Sequence, residues 1–151
     1  MSASRQPGPR QPDETRRHEA EGSLDHPEFE AAITILNHRH VCRLAEWPAA
    51  VRRSLDDCNM NVYGVMQGPN EFLFTGNLKD WNRIADLHRI AVPALITVGR
   101  HDELSPACAL KMKLALPNAR LRVFPNSSHL PFHEEPDDYM AVLTAFLDEQ
   151  T

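Results

Sequence analysis

The chain has 151 residues, the length of about one ordinary domain, and its 42% hydrophobic and 25% charged content is that of a globular protein. A formal net charge of −5 excludes the basic stripe of a nucleic-acid binder, and no apolar run approaches the roughly 20 residues of a membrane helix. Three cysteines, Cys42, Cys58 and Cys108, lack metal-type spacing and suit free thiols in a reducing, cytoplasmic compartment.

No signal peptide is visible, because the first twenty residues lack an apolar core. Residues 1–13 carry no aromatic or branched aliphatic side chain and are expected to be a disordered lead-in. "ETRRHEAEGSLD" (14–25) reads as a short helix stopped at Gly22. Asp25 or His26 then caps a helix with Pro27 in its first turn. Phe29, Ala32, Ile33 and Leu36 fall at i, i+3, i+4, i+7 on one apolar face. A further helix starts near Pro48, with Val51, Leu55 and Cys58 on one side. Residues 61–77 hold three glycines and a proline and read as loop or single turns. Residues 80–90 read as a short helix with Trp81, Ile84 and Leu87–His88 inward.

The pattern changes at Pro93. "ALITVG" (94–99) is a continuous apolar run ended by glycine, the signature of a strand buried on both faces of a parallel sheet. Ser105 and Pro106 open a helix with Cys108, Met112, Ala115 and Leu116 inward. "ARLRVF" (119–124) is a second strand, "PNSSHLPFHEEP" a loop, and Pro136 starts a helix with an apolar stripe from Tyr139 to Leu147. A helical region over 14–90 thus precedes a β-α-β-loop-α unit over 91–151. Two strands are too few for a parallel sheet, so the chain reads as part of a larger α/β fold, with an open apolar edge on its first strand.

Asp102 sits at the carboxyl end of the first strand, and His129 follows the second. Catalytic groups of open α/β sheets gather at that rim. An acid there can accept the Nδ1 hydrogen of the histidine and leave Nε2 as a base, two thirds of a nucleophilic triad. Acid before histidine is the chain order of α/β hydrolases. On spacing alone a competing reading stands beside it: Asp102 caps the next helix and His129 is a surface polar residue. His129 and His133 have the i, i+4 spacing of a zinc pair, but Pro131 between them prevents that helix, and no metal or cofactor is expected.

"RIAVPALITVGRHDELSPACA" and "LRVFPNSSHLPFHEEPDDYMAVLTAFL" closely resemble the carboxyl-terminal region of proline iminopeptidases, including the tricorn-interacting aminopeptidases, in the α/β-hydrolase superfamily. "RRHEAEGSLDHPEFEAAITILNHRHVCRL" and "VYGVMQGPNEFLFTGNLKDWNRI" resemble that family's helical cap. The resemblance covers residues 14–149 and implies a partial α/β-hydrolase fold. It implies that Asp102 is the triad acid and His129 the base. It further implies that Glu103, with Glu71 of "GPNEF", holds the free amino terminus of a short peptide or amino-acid amide, by charge-assisted hydrogen bonds. Without the family, Glu71 reads as a solvated loop acid and Glu103 as a favourable charge near a helix N-terminus. Tyr63, in "NVYGV", is expected to line the substrate pocket from the cap, with a core tyrosine the competing reading.

The family's serine nucleophile lies in a G-x-S-x-G elbow, and its oxyanion loop is of the H-G-G-P-G type. Neither pattern occurs in this sequence. The expectation is a carboxyl-terminal part that is inactive alone and whose partner is a complementary amino-terminal half. An amidase or esterase of the same superfamily, or a catalytically inactive interaction module, is the alternative.

Overall fold

The computed structural model describes residues 11–150. Helix α1, Gln11–Glu21, ends at Gly22, whose φ of 69° is the left-handed conformation that glycine adopts without cost. It begins within the expected lead-in, of which residues 1–10 lie outside the described residues. Helix α2, Pro27–Leu36, is capped by His26, whose Nδ1 accepts the amide hydrogen of Glu28 at 3.2 Å. Phe29 and Ala32 are its buried residues, as the spacing requires. The helix then widens into a π-type turn over Asn37–Val41, closed by the Cys42 amide donating to the Asn37 carbonyl at 3.0 Å.

Helix α3, Ala49–Asp56, buries Val51, and Leu55 is half in solvent. Helix α4, Met60–Met66, replaces the expected loop. The Asn59 side chain accepts the amide hydrogens of Asn61 and Val62, and this cap outweighs the cost of Gly64 within the helix. A 3₁₀ turn over Ile84–Arg89 ends the helical cap. Trp81 is 65% exposed here and Ile84 38%, so the inward face expected of residues 80–90 is restricted to half-buried Leu87.

Strand β1, Ala94–Gly99, pairs in parallel with β2, Ala119–Phe124, in the register Ala94↔Ala119 to Gly99↔Phe124. Helix α5, Pro106–Ala115, makes the crossover and buries Ala109 in place of the expected Cys108 and Met112. A short helix α6, Pro131–Glu134, leads into α7, Pro136–Asp148. Val98 and Phe124 are the buried ends of the strands, and Tyr139 of α7 lies against Phe124 with ring centroids 5.6 Å apart. The first four residues of β1 are only half-buried. Two strands and one crossover helix cannot cover both faces of so apolar a strand. Among the described residues no helix is long and apolar enough to cross a membrane.

Among the described glycines the tightest surroundings are those of Gly99. A Cβ built there would lie 2.0 Å from the Ser128 carbonyl oxygen and 2.5 Å from that of Ser127. The loop after β2 therefore rests on the bare backbone at the end of β1. Gly99→Ala is expected to cost about 1–3 kcal/mol by urea unfolding, the usual scale of overpacking, because the contacting atoms are main chain and cannot rotate away.

Candidate active site

The rim at the carboxyl ends of β1 and β2 is built by main-chain bonds first. The Arg100 amide donates to the Phe124 carbonyl at 2.8 Å, and the His101 amide to the Ser127 carbonyl at 3.0 Å. Main-chain bonding thus continues past the parallel register and brings Asp102 and His129 together across 27 residues of sequence. His129 Nδ1 lies 3.1 Å from Asp102 Oδ1 and 3.5 Å from Glu103 Oε1. The Asp102 side chain is 7% exposed, and its Oδ1 also accepts the Leu104 amide hydrogen at 2.8 Å. Asp102 therefore closes the turn into α5 and orients the imidazole with the same oxygen. The bond to Leu104 lies in the turn before α5, whose N-cap residue is Ser105.

The loop carrying His129 is pinned from below by two acids to which the sequence analysis assigned no role. Glu134 Oε2 accepts the Ser128 amide hydrogen at 2.8 Å, and Oε1 accepts the Ser128 hydroxyl at 2.8 Å and the Arg43 amide at 2.6 Å. Glu135 accepts from the Ser127 hydroxyl and from the Asn126 amide and side chain. Burial opposes ionisation of Glu135, but these hydrogen bonds outweigh it and hold the carboxyl below its ordinary range. Ser127 and Ser128 are fully buried, so their hydroxyls serve the loop and are closed to a substrate. A signal was present in "NSSHLPFHEEP": acids six to nine residues after a run of small donors, with a proline turn between them.

The remaining predicted residues converge on the pair. The Tyr63 phenol hydrogen-bonds Glu71, and burial first, then this bond and the nearby acids, raise its pKa. Burial pushes Glu103 up to about 7; His129 pulls it down, while the charges of Asp102 and Glu71 push it further up. The hydrogen bond to Asp102 raises His129; burial lowers it, and Glu103, Asp102 and Glu71 raise it again. Glu103 Oε2 is buried without a hydrogen-bond partner. Asp102, Glu103, Glu71, Tyr63 and His129 thus form one electrostatic cluster: three carboxylates, a phenol and an imidazole.

The arrangement provides a base at His129 Nε2, since Nδ1 donates to Asp102, and a strong preference for a cation beside Glu103 and Glu71. Donor atoms of Asp102, Glu103 and His129, and of His18, His26 and Glu28, lie within 4.8 Å of one another in two separate groups. In the second group Arg17 donates to Glu28 and to His18 Nε2, and His26 Nδ1 takes the Glu28 amide, so its donors are engaged within the protein. All three cysteines are free thiols, and Cys42 is fully buried.

No protein-family model matches the chain. It is 37% identical over 135 residues to a proline iminopeptidase of Saccharolobus solfataricus, covering 89% of this chain and 44% of that protein. It is 36% identical over 135 residues to one of Thermoplasma volcanium, covering 89% and 46%. Among solved structures, VinJ superposes with a TM-score of 0.88 at 34% identity, covering 95% of this chain and 49% of that one. A proline iminopeptidase of Mycobacterium smegmatis superposes at 0.82 and 35% identity, covering 92% and 47%. The chain spans about half the length of the relatives it matches.

Glu103 sets a pH dependence. Folded, it keeps its proton to about pH 7; unfolded, it releases it near 4.5. The folded state therefore loses stability relative to the unfolded as pH rises through that window. Glu103→Gln is expected to match the parent at pH 4.5 and to exceed it by about 1–3 kcal/mol at pH 8 in urea titrations, one pKa unit being about 1.4 kcal/mol.

Proposed function

The chain is a relative of the proline iminopeptidases and carries part of the α/β-hydrolase fold, and from that kinship we propose that it supplies the acid, the base and the amine-binding groups of a serine aminopeptidase site. Asp102 holds the imidazole in one tautomer and stabilises its charged form. His129 Nε2 takes the proton of a serine hydroxyl and returns it to the leaving amine. Glu71 and Glu103 bind the α-ammonium of the first residue, and Tyr63 orients Glu71 through its hydroxyl. The observation that carries this reading is the buried, unpartnered Oε2 of Glu103. A buried carboxylate oxygen without a donor is costly, and an ammonium ion supplies both the donor and the charge. A substrate with a free amino terminus, peptide or amino-acid amide, follows from that chemistry.

The nucleophile comes from polypeptide outside these residues. No G-x-S-x-G elbow is present in the sequence, and Ser127 and Ser128 are engaged by Glu134 and Glu135. Beside Asp102 and His129 lies an open groove of about 350 Å³, lined by Ile96, Val98, Ala109, Met112, Phe132 and Tyr139. A complementary amino-terminal half of the hydrolase fold, carrying the serine and the oxyanion donors, is the partner this groove and the half-covered β1 accept. The free cysteines suit a cytoplasmic setting. The missing elbow also favours a second reading, in which the chain is an inactive module that binds amines without hydrolysing them.

The purified chain is expected to give no turnover of a prolyl chromogenic amide, since loss of a nucleophile leaves on the order of a millionth of kcat. Co-expression with the amino-terminal half of the Thermoplasma volcanium enzyme is expected to restore turnover that a serine-directed inhibitor removes. Turnover by the chain alone with the same inhibitor sensitivity would overturn the assignment of the nucleophile. A reconstituted complex that binds prolinamide without turnover favours the second reading.

A further inference from the structure

We propose that His40, a residue of the helical cap outside the catalytic pair, is the positioning residue that sets the Asp102–His129 geometry. The inference rests on the reading of those two as acid and base, and on nothing about the substrate. Its ground is that one residue bonds the main chain on both sides of the pair, at His129 itself and at His101, the neighbour of Asp102. The His129 amide donates to the His40 carbonyl at 3.1 Å. His40 Nδ1 lies 2.8 Å from the carbonyl oxygen of His101, the residue before Asp102, and so donates its proton there. The His40 ring also meets Phe72, next to Glu71, edge to face at 6.5 Å. Residue 40 is 61 residues from His101 and 89 from His129, so the clamp belongs to the tertiary structure alone.

The local backbone explains why His40 can do this. It lies in the π-type turn Asn37–Val41, and π turns within helices recur at functional sites. The last carbonyls of a helix have no partner within it. That of His40 is taken by His129. The ring leaves on the other side and reaches the β1 rim. The Arg100 and His101 amides already bond the β2 side, at Phe124 and Ser127. His40 secures the same strip from the cap. The half-buried side chain of His40 and its carbonyl thereby tie the cap to the catalytic rim, beside the bond of the Arg43 amide to Glu134.

The test is NMR of the full 151-residue chain with labelled histidines. In the parent protein, the His40 ring must carry a proton on Nδ1; a ring with Nδ1 unprotonated overturns the proposal whichever variants fold. His40→Ala and His40→Phe remove the donor, the second keeping a ring against Phe72. His40→Asn keeps a donor near the Nδ1 position. Asp102, Glu103 and Glu71 are the charged groups that raise His129. The expected result is a fall of about one unit or more in the His129 titration midpoint in the Ala and Phe variants, as an acid partner is lost, with the parent value retained in Asn. Equal midpoints in all four proteins, or the same fall in the Asn variant, would sink the idea. An ordinary His129 midpoint in the parent itself would instead discredit the acid–base reading.

Discussion

The contact between the loop after β2 and the bare backbone of Gly99 is the constraint on which the site depends. Hydrogen bonds across the strand ends hold the loop there, and two buried serines are tied to Glu134 and Glu135 beneath it. A side chain at residue 99 would lift the loop, and His129 with it. The 3.1 Å approach of imidazole to Asp102 is therefore a consequence of backbone packing at the rim, with the side chains completing what the main chain has already aligned.

On that platform the electrostatics are deliberately unbalanced. Three carboxylates surround one imidazole, and one carboxylate oxygen is buried without a donor. Such an arrangement is costly for the free protein and favourable once a cation enters. The proton Glu103 holds to about pH 7 is the protein's own relief of that cost, and an incoming ammonium would displace it. Burial thus does two things at once: it raises the acid and strengthens its preference for a charged partner. The cap supplies Tyr63 and Glu71 to this cluster and His40 to its frame, so cap and rim share one electrostatic environment.

Much of the fold could be read in the residues. Pro27 behind His26, Ser105 before Pro106, and the apolar run ending at Gly99 each fix local backbone by short-range sterics and capping. The misreadings also have local causes. Gly64 and its neighbours suggested loop over 61–77, but the Asn59 cap supports a helix there. Trp81 and Met112 were expected inward on periodicity, which reports an apolar face and is silent on whether anything covers it. The half-buried β1 has the same origin: its composition is that of a strand in a larger sheet, and two strands do not bury it.

The sequence by itself determined most of the long elements and the parallel β-α-β unit, and it placed Asp102 and His129 as candidates at one rim, because strand ends and turn chemistry are local and the family-like motifs are short and contiguous. Only the tertiary structure decided which atoms meet. The reach of His40 to both sides of the catalytic pair and the bond of the Arg43 amide to Glu134 join residues far apart in the chain, and the orphaned oxygen of Glu103 is a product of the same packing. The His40 contacts run to main-chain atoms of His101 and His129, which every residue carries alike, so no pattern of side chains could announce them.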